Sequence, residues 1–402
     1  MKKLLMLTIM TVAGYLLYAQ DFNINVNRQV SVPVPSKNAD KAIFGDNSMM
    51  DYYQAPPALR KLADSTVAFI NKKSLVYDAQ TKTYKVAKEI KVSSNYVDDK
   101  EDFVNQNILS FCSGAYVGKS MVLSAGHCVE TNDTSSSSYY KNVYVVFGWR
   151  YESDNTPVMS FSEDQVYTIK EVKVRELSTN IASMNDLLNK YQDYSLTVLD
   201  REPADRKPLL VDKAPQFKVG NKAFTIGYPL GMAVKIDKPE DSQIFVVGNN
   251  TFQTNIDAFG GNSGGPVFDS NTKKIIGILV TGFGGEFDYE LKQDVVLNIV
   301  ITTSSATIDP QTQTLYVDAS TASKLKSIIT QQYKGEFVSN GEGKYKALIK
   351  SGTKINNRDT MFGIIARLFG AKALNKGKLV RYDQNDYGTG IMKVPGVILN
   401  QI

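Results

Sequence analysis

Short apolar runs separated by turn residues dominate most of the chain. Ser65 to Ile70 is β-branched and apolar and predicts a strand. Leu75 to Val86 predicts a hairpin with Asp78-Ala79-Gln80-Thr81 at its tip. Phe111 to Val117 and Ser120 to Ser124 predict two strands around a Gly118-Lys119 turn. Asn142 to Trp149 is rich in Val, Tyr and Phe, and Val166 to Val174 alternates like another strand. The period then changes: Leu, Ile and Met recur at helical spacing over Leu177 to Lys190. Alternation returns over Tyr191 to Arg201, with Asp193 near its start. Phe217 to Ile226, a Gln243 to Thr254 hairpin around Gly248-Asn249-Asn250, and Ile275 to Gly282 extend the β pattern. Ala58 to Ala63, Ser320 to Gln332 and Thr360 to Phe369 read as short helices, whereas Asp21 to Asp40 is polar and extended.

Composition narrows the class. The 402 residues are 43% apolar, enough for a full core, which excludes wholesale disorder. A net charge of +5 gives no reason to invoke nucleic acid. The charge is uneven: residues 334–402 hold 12 Lys and Arg against 5 Asp and Glu, a net of +7, so the remainder is −2. Lys2 and Lys3 followed by the apolar stretch Leu4 to Leu17 predict an export signal, with cleavage expected after Ala19. A retained anchor is the alternative; no other stretch is long enough to cross a membrane, and stable insertion is not expected. The expected location is secreted or periplasmic.

Three stretches carry chemistry. Phe259-Gly260-Gly261-Asn262-Ser263-Gly264-Gly265-Pro266 crowds glycines around one serine. Glycine permits positive φ and close backbone approach, so such a loop can aim several N–H groups at one point. Leu123-Ser124-Ala125-Gly126-His127-Cys128 contains the only histidine of the chain. Tyr191-Gln192-Asp193-Tyr194 places an aspartate at the head of a half-buried strand.

Together the three resemble the trypsin-like, chymotrypsin-fold serine peptidases, whose chain order is His, Asp, Ser. The resemblance is closest to the secreted bacterial branch of glutamyl endopeptidases, with Thr225 to Gly231 and Ile275 to Gly282 in support, and it runs from about Ser65 to about Tyr333. It implies an all-β fold of two antiparallel six-stranded-type barrels with a closing C-terminal helix, matched to Ser320 to Gln332, and a C-terminal extension. The implied organisation is a signal peptide at 1–19, an extension or pro-segment at 20–57, a peptidase domain at 58–333 with barrels near 58–205 and 206–333, and a basic extension at 334–402. That last segment is either a solvated extension or a sorting and attachment element.

The resemblance also implies roles. Ser263 is the nucleophile, His127 the base, Asp193 its orienting carboxylate, and the N–H groups of Gly261 and Ser263 form the oxyanion hole. Asp257, Leu279, Thr281 and Gly282 fall at substrate-binding positions. Asp257 lies six residues before Ser263, where a pocket carboxylate favours Lys or Arg; otherwise it braces its own loop. Leu279 stands where glutamyl endopeptidases place a pocket histidine, which argues against glutamate preference. Asn262 replaces the aspartate that pairs with a new N-terminus in digestive relatives, so that ion pair is not expected to be the activation switch. Export makes a Cys112–Cys128 disulfide the expected pairing. No metal or cofactor is expected, and the expected partners are protein or peptide substrates acted on by a monomer. A silent barrel used for binding and an esterase-like acyl hydrolase are the competing functions.

Overall fold

Valine, isoleucine, phenylalanine and tyrosine on one face of each strand need a place away from water, and closure of the first sheet supplies it. The computed structural model describes residues 43–402 apart from 45–46, 96–97, 99, 179–182, 283–286, 304–306, 357–359, 370–372, 377, 380 and 383–387. The expected signal at 1–19, and most of the expected pro-segment, lie outside the described residues.

Six strands form a closed antiparallel barrel: β2 (Thr66–Asn71), β3 (Cys112–Gly118), β4 (Met121–Ser124), β5 (Val143–Phe147), β6 (Val166–Leu177) and β7 (Asp193–Leu199). Around the barrel the order is β6-β7-β4-β3-β2-β5. Val67, Phe69, Val122, Leu123, Val145, Phe147 and Leu196 are fully buried and make its core. Lys119 and Ser120 both take positive φ in the tight turn between β3 and β4, a mirror-image turn whose twist suits adjacent antiparallel strands. The short helix expected over 58–63 forms as α1 (Pro57–Ala63), and the helical pattern after β6 becomes α2 (Met184–Asn189), capped by Ser183, whose hydroxyl accepts the Asp186 N–H.

A second antiparallel sheet holds β1 (Met50–Asp51), β8 (Ala223–Gly227), β9 (Lys235–Ile236), β10 (Ile244–Val247), β11 (Thr251–Thr254), β12 (Pro266–Asp269), β13 (Ile275–Gly282) and β14 (Thr389–Lys393). Its order is β10-β11-β14-β13-β12-β8-β9-β1, a half-barrel rather than a closed six-stranded ring. The closed barrel and this sheet together have the chymotrypsin-like double-barrel architecture. Two of its strands come from far away in sequence. β1 belongs to the segment read as an N-terminal extension, and β14 to the segment read as a C-terminal one. β1 is held where the Lys235 ammonium, buried at 1% exposure, meets Asp51 at 2.5 Å and Gln106 at 2.6 Å. A buried charge is tolerated only with such partners.

Among the described residues the chain falls into two compact units. The larger comprises the described parts of Val30–Val92, Asn105–Gly284 and Arg381–Ile402, and so contains the barrel and the half-barrel. The smaller comprises Ser93–Val104 and Gly285–Val380. In it Val295–Ile301 runs parallel to Thr314–Val317 and antiparallel to Lys344–Ile349 within a five-stranded sheet. The helix expected over 320–332 forms here as α3 (Ala319–Ser327), and that expected over 360–369 forms as α4 (Thr360–Phe369). The chain thus leaves the half-barrel after β13 and returns to it at β14. No helix among the described residues is long and apolar enough to cross a membrane.

The structure pairs Cys112, at the head of β3, with Cys128, 16 residues on. A loop of that length contributes about 3 kcal/mol by limiting the unfolded chain. Titration of the unfolded, unreduced protein should therefore find no thiol, and mild reduction should lower the unfolding temperature. Two titratable thiols would contradict the pairing.

Candidate active site

After β4 the chain turns tightly through Gly126–Cys128. Only glycine fits at position 126: a Cβ there would lie 1.9 Å from the Glu176 carbonyl oxygen of β6. This close approach carries His127 against the head of β7. Asp193 opens that strand and pairs with Leu177 across the sheet. Its two oxygens divide their work. Oδ1 accepts the His127 backbone N–H at 2.9 Å, and Oδ2 lies 2.6 Å from His127 Nδ1. Tyr191 donates its hydroxyl to the same Oδ2 at 2.8 Å. The Asp193 side chain is fully buried, whereas the His127 side chain is 31% exposed. With Nδ1 turned to the carboxylate, Nε2 carries the lone pair and is free to act as a base.

The serine loop is fastened to the first barrel by Ser113 of β3. The Ser113 N–H donates to Ser263 O at 2.8 Å, and its hydroxyl donates to Gly261 O at 2.7 Å. Ser263 O also lies 3.4 Å from Cys128 Sγ, one residue from His127. Gly261 (φ +97°) has no room for a side chain: a Cβ would meet Tyr228 O at 2.5 Å. At Gly264 (φ +83°) it would meet Ser124 Oγ at 2.1 Å. The amides of Asn262, Gly264 and Gly265 are bonded to Phe259, Leu279 and Asn262 carbonyls. Those of Gly261 and Ser263 make no hydrogen bond among the described residues, and neither does the Ser263 hydroxyl. The loop therefore presents one hydroxyl and two uncommitted N–H donors beside the His127 turn.

Residues 112–278 match the family model of the trypsin-like peptidase domain. That span contains His127, Asp193 and Ser263. The chain is also similar to the crystal structure of the Rv3671c protease in its inactive form, at 14% identity and a TM-score of 0.31, covering 56% of this chain and 81% of that one. A second likeness is to the inactive form of a serine-to-alanine mutant of Rv3671c from M. tuberculosis H37Rv, at 14% identity and a TM-score of 0.32, covering 61% and 85%. At such scores these likenesses add nothing to the argument from the strands. No curated protein sequence matches the chain.

The structure also places the other positions singled out in the sequence. Leu279 is buried, donates its N–H to Gly265 O at 2.9 Å and accepts from Gly264 N at 2.7 Å, so it braces the loop from β13. Thr281 and Gly282 pair with Gly390 and Thr389 of β14. Asn262 is buried, and neither polar atom of its side chain has a partner among the described residues. Cys112, His127 and Cys128 crowd together, but sulfurs joined to each other offer no thiolate to a metal.

Asp257 is 2% exposed, and its Oδ2 accepts from both the N–H (2.7 Å) and the hydroxyl (2.8 Å) of Ser48. The same hydroxyl lies against Asp237 Oδ1, and Ser242 donates to Asp237 Oδ2 at 3.3 Å. Burial, and then the charge of Asp257, push the Asp237 carboxyl well above the usual range. Ser48, Asp237, Ser113 and Tyr191 all escape a reading of the sequence, because nothing local marks them. Ser48 is 209 positions from the carboxylate it binds.

Folding takes up a proton at the Asp237–Asp257 pair between the ordinary carboxylate range and the raised value. Native stability contributed by this pair is therefore present at acid pH and falls as pH rises through that window. Asp237→Asn needs no proton and keeps an oxygen for Ser48 and Ser242. Thermal melts should show the variant gaining on the wild type at about pH 8 and losing that gain at about pH 4. An equal difference at both pH values would show that Asp237 is not protonated by folding.

Proposed function

We propose that this chain is an exported serine endopeptidase that works through Ser263, His127 and Asp193. The observation that carries the proposal is the His127 Nδ1–Asp193 Oδ2 contact of 2.6 Å beside a glycine-rich serine loop. Ser263 Oγ attacks the scissile carbonyl while His127 Nε2 takes its proton. The same nitrogen then gives the proton to the leaving amine, and water repeats the cycle to release the acyl group. Asp193 keeps the proton on Nδ1 and stabilises the imidazolium. The N–H groups of Gly261 and Ser263 bind the developing oxyanion, where each such donor supplies roughly 10²–10³ in rate. The match to a trypsin-like peptidase domain over residues 112–278 supports the same reading. Export through residues 1–19 and removal of part of 20–57 belong to the proposal, as does a soluble, extracytoplasmic site of action.

The substrate preference we propose is for Lys or Arg before the cleaved bond. It rests on the position of Asp257 six residues before Ser263, where a pocket carboxylate would meet a cationic side chain. A second reading has its own support: Asp257 is bonded twice to Ser48, as a residue would be that braces a loop.

One set of assays separates these claims. Wild-type protein should cleave Lys and Arg esters much faster than Glu or Phe esters, and Asp257→Ser should erase that gap. Ser263→Ala and His127→Ala should fold normally yet lose up to about 10⁶ in turnover on every substrate. Substantial activity in either variant would end the triad reading. A basic preference retained by Asp257→Ser would assign Asp257 to bracing alone.

A further inference from the structure

We propose that Tyr191 is a positioning residue for the Asp193 carboxylate; this rests on the peptidase reading above. Asp193 is fully buried, so protein donors alone set the rotation of its carboxylate. Among the described residues three donors reach this carboxylate, and two of them come from His127 itself. The third is the Tyr191 hydroxyl, 2.8 Å from the oxygen that faces His127 Nδ1. Without it, Oδ2 would be restrained only by the ring it is meant to restrain.

The backbone around Tyr191 is built to hold that hydroxyl. Its N–H donates to Asp186 O at 2.9 Å, closing the end of α2. Its carbonyl accepts from Asn250 Nδ2 at 3.3 Å. α2 in turn is seated on the β10–β11 hairpin. Thr251 Oγ1 donates to Leu187 O at 2.9 Å, Asn250 N to Leu188 O at 3.0 Å, and Asn249 N to Asn189 Oδ1 at 2.9 Å. Gly248 makes the seat possible, since a Cβ there would lie 2.4 Å from Leu188 O. The insertion between β6 and β7 thus fastens a residue beside Asp193 to the half-barrel that carries Ser263.

The charged and titratable groups around this point are few. His127 and Tyr191 touch Asp193 directly. Tyr194 bonds Gln192, and burial followed by the Glu176 charge raises its phenol. Arg175 donates to Gly126 O and pairs with Glu130. None of these last groups bonds the Asp193 carboxylate, so Tyr191→Phe removes one donor and leaves the rest of the cluster in place.

The test uses the full chain and exploits the single histidine, whose Nδ1–H proton gives one unambiguous NMR resonance. In Tyr191→Phe, Oδ2 loses a competing donor and accepts the Nδ1–H more strongly, so the resonance should move downfield. A hydrogen bond to a charged group is large enough for turnover to fall about tenfold, with KM changing less than about twofold. The thermal midpoint should stay near that of the wild type. An unchanged resonance together with unchanged kcat would overturn the proposal. The resonance is read without substrate, so it judges Tyr191 even if Ser263→Ala retains hydrolysis and the peptidase reading fails.

Discussion

One residue, Ser113, ties the serine loop to the barrel that carries His127. Ser113 donates its N–H to Ser263 O and its hydroxyl to Gly261 O, and its own carbonyl accepts the Ser124 hydroxyl at 2.7 Å. Tyr228 N donates back to the Ser113 hydroxyl oxygen at 2.9 Å. These bonds span the loop from Gly261 to Ser263 and are buried, so each is hard to replace with water. The loop glycines are consequences of this clamp. Positions 261 and 264 lie so near other backbone that any side chain would push the loop off Ser113. The same constraint leaves the Gly261 and Ser263 amides without protein acceptors among the described residues.

Buried carboxylates in the larger unit are handled in three different ways. Asp51 is matched by a buried lysine, which also fixes the N-terminal strand to the half-barrel. Asp193 is matched by donors from His127 and Tyr191. Asp237 and Asp257 face each other across Ser48, and burial with like charge favours a shared proton. Neighbours decide the behaviour of each acid, and the residue type alone does not.

The barrel is legible in the sequence because its strands are continuous apolar or alternating runs, as in Val143–Phe147 and Asp193–Leu199, where all but one residue of each is buried. The half-barrel is less so. β14 is Thr-Gly-Ile-Met-Lys, with two large apolar residues and no pattern of its own; its neighbours β11 and β13 bury it. β1 is two residues long and owes its place to Asp51 and Lys235, 184 positions apart. The same distinction holds at the site. His127, Asp193 and Ser263 stand out through a unique residue, a strand head and a glycine loop. Their partners Ser113 and Tyr191 are ordinary residues that matter only through contacts made across the fold. The offset of Asp257 from Ser263 suggests a pocket, yet only the tertiary structure brings Ser48 and Asp237 to it.

In this arrangement Ser263 should owe its nucleophilicity to His127. A fluorophosphonate probe that reacts only with activated serines, followed by peptide mapping of the full chain, tests it without assuming any substrate. Modification at Ser263 is expected in the wild type, and its loss in His127→Ala. An unmodified Ser263, or labelling there that persists unchanged without the imidazole, would contradict it.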